Sequence, residues 1–156
     1  MTTISNLFTN YVLICAVSGW FSAQILKAVI VYFRTKKFEK ERLIGSGGMP
    51  SAHSAMVCAM TIAVSRVESG GMNSSAFAIS FILACIVMYD AMGVRRSAGE
   101  QAKALNQFAE TLEADDDEDE FEFKELKVRL GHTPLEVLGG ALLGILIPLF
   151  LGFFYS

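Results

Sequence analysis

The chain has 156 residues, enough for one domain, with 13 Lys and Arg against 16 Asp and Glu and a formal charge of −3. Hydrophobic residues make up 53% and mean hydropathy is +0.44, which excludes an ordinary soluble domain. The partners expected of such a chain are membrane lipids, not nucleic acid.

The apolar residues come in blocks. Tyr11 to Phe33 holds Lys27 as its one charge, Ser74 to Tyr89 holds none, and Leu135 to Ser156 holds only Glu136. Each block is near the ~20 residues that cross a bilayer core. Ala52 to Val64 is apolar apart from His53, Ser54 and Thr61, but shorter. It predicts a tilted, partly inserted or core helix. The expected fold is therefore all-α: an integral membrane helical bundle with three or four transmembrane helices plus an amphipathic surface helix. Residues 1–156 are expected to form a single membrane domain.

The first block lacks the basic n-region of a signal peptide and is longer than the usual apolar core of one. Ser18, Gly19, Ser22 and Ala23 give it a small-residue patch suited to helix packing. Arg34, Lys36, Lys37, Lys40 and Arg42 follow, and the positive-inside rule makes that loop cytoplasmic. If segment 51–67 spans, the loop from Glu68 to Asn73 is outside, Arg95 to Arg129 is inside and both termini are outside. The expected location is the plasma (inner) membrane, with the polar motifs on its cytoplasmic face.

Gly47 to Ser54 reads GGMPSAHS. Gly45, Gly47 and Gly48 let the backbone take positive φ and approach a ligand closely. Pro50 suits the first turn of a helix, where its missing N–H costs nothing. A helix starting here aims free N–H groups and the positive end of its dipole at the loop, which makes an anion site. His53 adds a titratable imidazole, which suggests phosphate chemistry. The competing reading is a Gly-rich turn capping a membrane helix, with a polar His at the interface.

Gly93 to Leu112 has Ala98, Ala102, Leu105, Phe108, Ala109 and Leu112 near helical spacing, with Glu100, Gln101, Lys103 and Glu110 on other faces. This predicts an amphipathic helix on the membrane surface or on a partner subunit. Glu113 to Glu122, EADDDEDEFE, is a dense acidic run; 113–123 is expected to be a solvated, flexible loop. It lacks the glycine-bearing spacing of a calcium loop. Phe121 and Phe123 are placed to tack its end to the membrane surface.

Arg129 to Gly140 reads RLGHTPLEVLGG. Thr133, Pro134 and Glu136 form a capping box with Pro at the first helical position. That gives Glu136 a structural job; the functional alternative is to orient His132, and the two roles compete for one carboxylate. Gly140 and Gly144 make a GxxxG suited to close packing or to a dimer face. With so few helices to enclose a pocket, a homo-oligomer is expected. Cys15, Cys58 and Cys85 stand singly, with no metal-site spacing, and read as small buried hydrophobes.

Alternating helices place four stretches at one membrane face. Lys27 and Arg34 lie toward the inner end of the first helix and His53 opens the second. Asp90, Arg95 and Arg96 close the third, and His132 and Glu136 open the fourth. Ionisable groups converging in such segments suggest a site. A single charge such as Arg34, taken alone, reads as a snorkelling helix end.

These residues carry a resemblance. PSAHS at 50–54 resembles the PSGH motif of the type 2 phosphatidic acid phosphatase and vanadium haloperoxidase superfamily. GHTPLE, with His132 and Glu136 four apart, resembles the third motif of that superfamily, in which a nucleophilic His precedes an Asp by four. GGMPSAHSA, YDAMGVRRSAGEQA and LGHTPLEVLGG, in this order, are similar to its small divergent branch, over about Gln24 to Gly144.

The resemblance implies that His132 attacks phosphorus and becomes phosphohistidine, while His53 protonates the leaving oxygen. Ser51 and nearby N–H groups would hold phosphate oxygens, with Gly47, Gly48 and Asp90 in support. Lys27 and Arg34 have the spacing of the first motif, but Thr35 stands where that motif has Pro. The Arg expected six before the nucleophile is Leu126, so Arg129, Arg95 or Arg96 would supply its charge, and Glu136 replaces Asp. No metal or organic cofactor is implied. The implied activity is a membrane lipid-phosphate phosphatase acting on a monoester or diphosphate. The alternative is a non-enzymatic membrane protein that keeps the fold, such as a lipid-phosphate binder or assembly factor.

Overall fold

The computed structural model describes residues 2–36, 48–115, 126 and 131–153. Its helices are α1 (Thr2–Thr9), α2 (Tyr11–Thr35), α3 (Ala52–Val67), α4 (Ser75–Met92), α5 (Val94–Asp115) and α6 (Pro134–Gly152), with a 3₁₀ turn at Gly71–Asn73. The architecture is the expected all-α one. Three helices, α2, α4 and α6, are long and apolar enough to cross a membrane, and α3 is a shorter apolar helix.

The short helix is the centre of the bundle. At about 1.5 Å per residue, the 16 residues of α3 extend roughly 24 Å, less than a bilayer core of about 30 Å. It packs against α2, α4 and α6. Its buried residues are mostly small: Ala52, Ser54, Ala55, Cys58, Ala59 and Ala63 among them. The neighbours meet these with glycine. A Cβ on Gly19 of α2 would lie 2.9 Å from the Ala55 carbonyl oxygen. A Cβ on Gly140 or Gly144 of α6 would overlap the carbonyl oxygens of Ser51 and Ala55. Without side chains in the seam the backbones come close enough for extensive van der Waals contact, which drives helix association where water is absent. The close-packing reading of the GxxxG is thus realised inside the chain. Both glycines are buried against α3 and give no dimer face.

Directions follow from these pairs. Ser51 meets Gly140 and Ala55 meets Gly144, so α3 and α6 run parallel. Tyr11 at the start of α2 donates to the Pro148 carbonyl near the end of α6 at 2.7 Å, so α2 is antiparallel to both. Thr61 Oγ1 donates to the Ser80 carbonyl at 3.1 Å and Cys58 lies by Met88, which makes α4 antiparallel to α3. The start of α3, the end of α4 and the start of α6 therefore share one end of the bundle.

The outer surfaces are apolar. On α4 only Ser80, Ala84 and Ala91 are buried, while Ile79, Ile82 and Ile86 are exposed. Continuous apolar surface of this kind fits lipid, not water. Cys15 and Cys58 are buried as expected, but Cys85 lies on this outer face. The α5 helix packs on α4. It buries Ala102 and Asn106 and leaves Leu105 and Phe108 of the expected apolar face exposed. It runs on to Asp115, so the first three residues of the acidic run are helical; residues 116–123, including Phe121, and with them Phe123, lie outside the described residues.

Candidate functional site

The glycine-rich loop enters α3 differently from expectation. Ser51, not an earlier residue, is the N-cap, and its Oγ accepts from the Ser54 N–H. A serine with its oxygen on an otherwise orphan N–H sets the helix start. Pro50 therefore precedes the cap, and the Met49–Pro50 peptide is cis. Gly48 takes φ of 85°, which disfavours other residues, and the aliphatic stem of Lys27 lies against it. The Ser51 N–H donates to the Glu136 carbonyl at 2.9 Å, which ties the loop to the first turn of α6.

The His132 segment is docked as firmly. Its N–H donates to the Ala91 carbonyl at 2.9 Å. Gly131, with φ of 92°, sits on the backbone of Arg95 and Arg96, where a Cβ would come within 2.5 Å of the Arg96 nitrogen. His132 is only 4% exposed. Its Nδ1 lies 3.1 Å from Glu136 Oε2, and the same oxygen accepts the Thr133 N–H at 3.0 Å. The cap and the contact with histidine are thus held at once by one carboxylate oxygen. An oxygen that accepts both bonds leaves the shared proton on Nδ1, so Nε2 carries the lone pair. Burial pushes the His132 pKa down; Glu136 opposes this, and Lys27 and Arg95 add to it. Burial thus favours the neutral imidazole.

Lys27 is 2% exposed and forms no hydrogen bond or ion pair among the described residues. Glu136 attracts it through space. His53 is half-buried, makes no hydrogen bond among the described residues, and lies within electrostatic reach of Arg95, His132, Lys27 and Asp90. Four elements thus converge on one charged cluster at the N-terminus of α3.

Other expected residues divide. Arg95 Nε pairs with Asp90 Oδ2 at 2.7 Å and borders the cluster. Arg96 pairs instead with Glu100 at 3.3 Å on the exposed side of α5. Arg34 lies near the end of α2, and its side chain is outside the described residues, as are Gly47 and Arg129 altogether. Sequence reasoning passed over two residues. Ser54 donates from its hydroxyl to Ser51 Oγ at 3.0 Å. Gln24, one turn before Lys27, buries an Oε1 that has no partner. The signal for Gln24 was its amide inside an apolar block, three residues from the lysine.

The fold and this cluster define an integral membrane protein whose titratable groups gather at one end of a helical bundle. The chain belongs to the family described as the Divergent PAP2 family, whose profile matches residues 8–147. It is similar to the "Uncharacterized membrane protein YuiD" of Bacillus subtilis (strain 168), 38% identical over 158 residues, covering 96% of this chain and 99% of that protein. No solved structure matches the chain. The resemblance read from the motifs is the family found, and the membership carries a phosphatase-like relation.

Proposed function

We propose that the chain is a membrane phosphatase that hydrolyses a lipid phosphate monoester or diphosphate through a phosphohistidine. The observation that carries this reading is Lys27, a buried lysine with no described partner, within electrostatic reach of two histidines. A buried cation is costly unless something compensates it, and a phosphate would do so.

His132 Nε2 attacks phosphorus, and the bond to the leaving oxygen breaks as His53, protonated, gives that oxygen its proton. Water then attacks the phosphohistidine, His53 takes the proton, and inorganic phosphate leaves with His132 restored. Lys27, the Ser51 hydroxyl and the first N–H groups of α3 hold the equatorial oxygens, where charge develops. Arg95, steadied by Asp90, adds positive field. The basic residues from Arg34 to Arg42 support a cytoplasmic face for this end by the positive-inside rule, in a plasma (inner) membrane on this reading. A second copy would help to enclose the pocket, making a homo-oligomer.

The test is phosphate release by detergent-solubilised protein over a panel of lipid phosphates, with orthovanadate as inhibitor. Release inhibited by vanadate is the expected result. A second reading, a lipid-phosphate binder without turnover, is favoured by Arg96, which Glu100 engages away from the cluster. Vanadate binding without release would select it, and the absence of both would remove both readings.

A further inference from the structure

We infer that Asn106 is a positioning residue for His132, because its amide latches the segment that carries the histidine onto α5; its part in catalysis rests on the phosphatase reading above. Asn106 Nδ2 donates to the Leu126 carbonyl at 2.9 Å, and the Leu126 N–H donates to Asn106 Oδ1 at 3.0 Å. The backbone settles which way the amide is turned, since an N–H only donates and a carbonyl only accepts. Asn106 is 8% exposed, whereas Leu126 is 40% exposed, so it is the backbone of Leu126 that is held.

An asparagine in a helix interior is a poor choice for the helix itself. Burying its amide is costly unless its hydrogen bonds are made. Leu126 makes them from outside the helix, and it lies six residues before His132. A leucine at that position gives the site no charge; its backbone gives the segment an anchor. Two more anchors follow. Gly131 sits on the backbone of Arg95 and Arg96, and the His132 N–H donates to the Ala91 carbonyl at 2.9 Å. Six residues of chain reach at most about 21 Å, so a Leu126 held by Asn106 confines His132 to that distance from it. The α5 helix is thus the platform on which the His132 segment is seated. Seating matters for a nucleophile: a misplacement of about 1 Å can cost 10²-fold in rate.

The experiment labels the histidines of the purified full chain with carbon-13 and follows their titration by NMR in detergent. The chain has two histidines, and a His53→Gln protein tells the two ring signals apart. Lys27, His53, Arg95 and Glu136 are the charged or titratable groups around the His132 ring, and Asn106→Ala alters none of them. Burial lowers the His132 midpoint in wild type. Asn106→Ala should raise it toward the usual value near 6.5 and move the His53 signal less. In rapid-quench assays with nitrophenyl phosphate, phosphohistidine formation should slow by about tenfold to a hundredfold, with KM changed far less. Gly131→Ala, which pushes the same segment off Arg96, should move the His132 midpoint in the same direction. A variant that melts earlier but keeps the wild-type His132 titration, or the wild-type rate of phosphohistidine formation, shows a merely structural asparagine and overturns the proposal. A rise in KM alone does the same. If Asn106→Ala does not fold, Asn106→Asp, which keeps the acceptor for the Leu126 N–H and loses the donor, should slow phosphohistidine formation to a smaller degree; an unchanged rate refutes the latch. A wild-type protein that forms no phosphohistidine removes the phosphatase reading alone, and the titration then decides by itself whether Asn106 seats His132.

Discussion

The two ends of the bundle treat their polar groups in opposite ways. At the far end Tyr11 gives its proton to the Pro148 carbonyl at 2.7 Å, and the Arg66 guanidinium packs over Gly152. Those contacts pin α2 and α3 to the end of α6. At the near end Lys27 and the His53 ring have no hydrogen-bond partner among the described residues, although Lys27 is buried, and Gln24 Oε1 is left without one. Buried polar groups are ordinarily satisfied, and an exception calls for an explanation. The difference teaches where the fold is finished and where it waits for something.

The largest expected effect comes from the residue placed to attack. His132→Ala should abolish phosphoenzyme and turnover together, since no covalent route remains; phosphoenzyme trapping and phosphate release check this. The pH profile sharpens the same point. His132 must be neutral to attack, and burial lowers its pKa from the usual value near 6.5. The acid limb of activity should therefore have its midpoint below that value. Glu136 raises the His132 pKa against burial. Glu136→Gln keeps a cap for Thr133 but loses the charge, so the acid limb should move further down. A limb that stays in place would leave Glu136 only the cap. The stability linkage has the same sign. A histidine with a depressed folded pKa resists the proton that the unfolded chain accepts, so the fold loses stability as pH falls from about 6.5 toward the folded pKa.

Lys27→Met breaks the comparison in two directions at once. A site residue kept at the expense of the fold should cost function and return stability when replaced. Turnover should fall by at least about a hundredfold as one electrostatic donor to the transition state is lost. Thermal stability in detergent should rise, by about 1–3 kcal/mol, because an unpaired buried charge has gone. Lower stability would mean that Lys27 has a partner the phosphate reading does not supply.

His53→Ala is the next in size. General acid help is worth about 10²–10⁴-fold, and its loss matters most for a poor leaving group. Hydrolysis of lipid phosphates should fall within that range, while a nitrophenyl phosphate, whose leaving group needs no proton, should be hurt much less. Equal losses on both substrates would move His53 from proton donor to binding.

Much of this was legible in the sequence, and the rest was hidden for identifiable reasons. Long apolar blocks announce membrane helices because a bilayer demands length and uniformity, so α2, α4 and α6 could be read directly. The cap at Thr133 was legible because its chemistry is local. What lay across helices was not. The sequence left Gly140 and Gly144 free to pack within the chain or between copies, and the choice depends on α3 presenting Ser51 and Ala55 in parallel register. Nor could spacing show that one oxygen of Glu136 serves both Thr133 and His132, or that Arg96 turns away to Glu100. The depth of Lys27 was equally invisible, since a lysine near a helix end ordinarily snorkels, whereas here Gly48 lies against its stem.

The smallest effect tests the far end. Tyr11→Phe removes the hydroxyl that donates to Pro148, in a contact that spans 137 residues of sequence and closes α2 onto α6. Interhelical hydrogen bonds in membranes average about 0.6 kcal/mol, because an unfolded chain in lipid finds other partners. The expected result is a modest drop in unfolding temperature with turnover and vanadate affinity unchanged. The two ends are joined by the rigid seams of α3, so a loosened far end has a path to the site only if those seams give way. A Tyr11→Phe protein that keeps its stability but loses vanadate affinity would show that the ends are coupled, and the division between a finished end and a waiting one would fail.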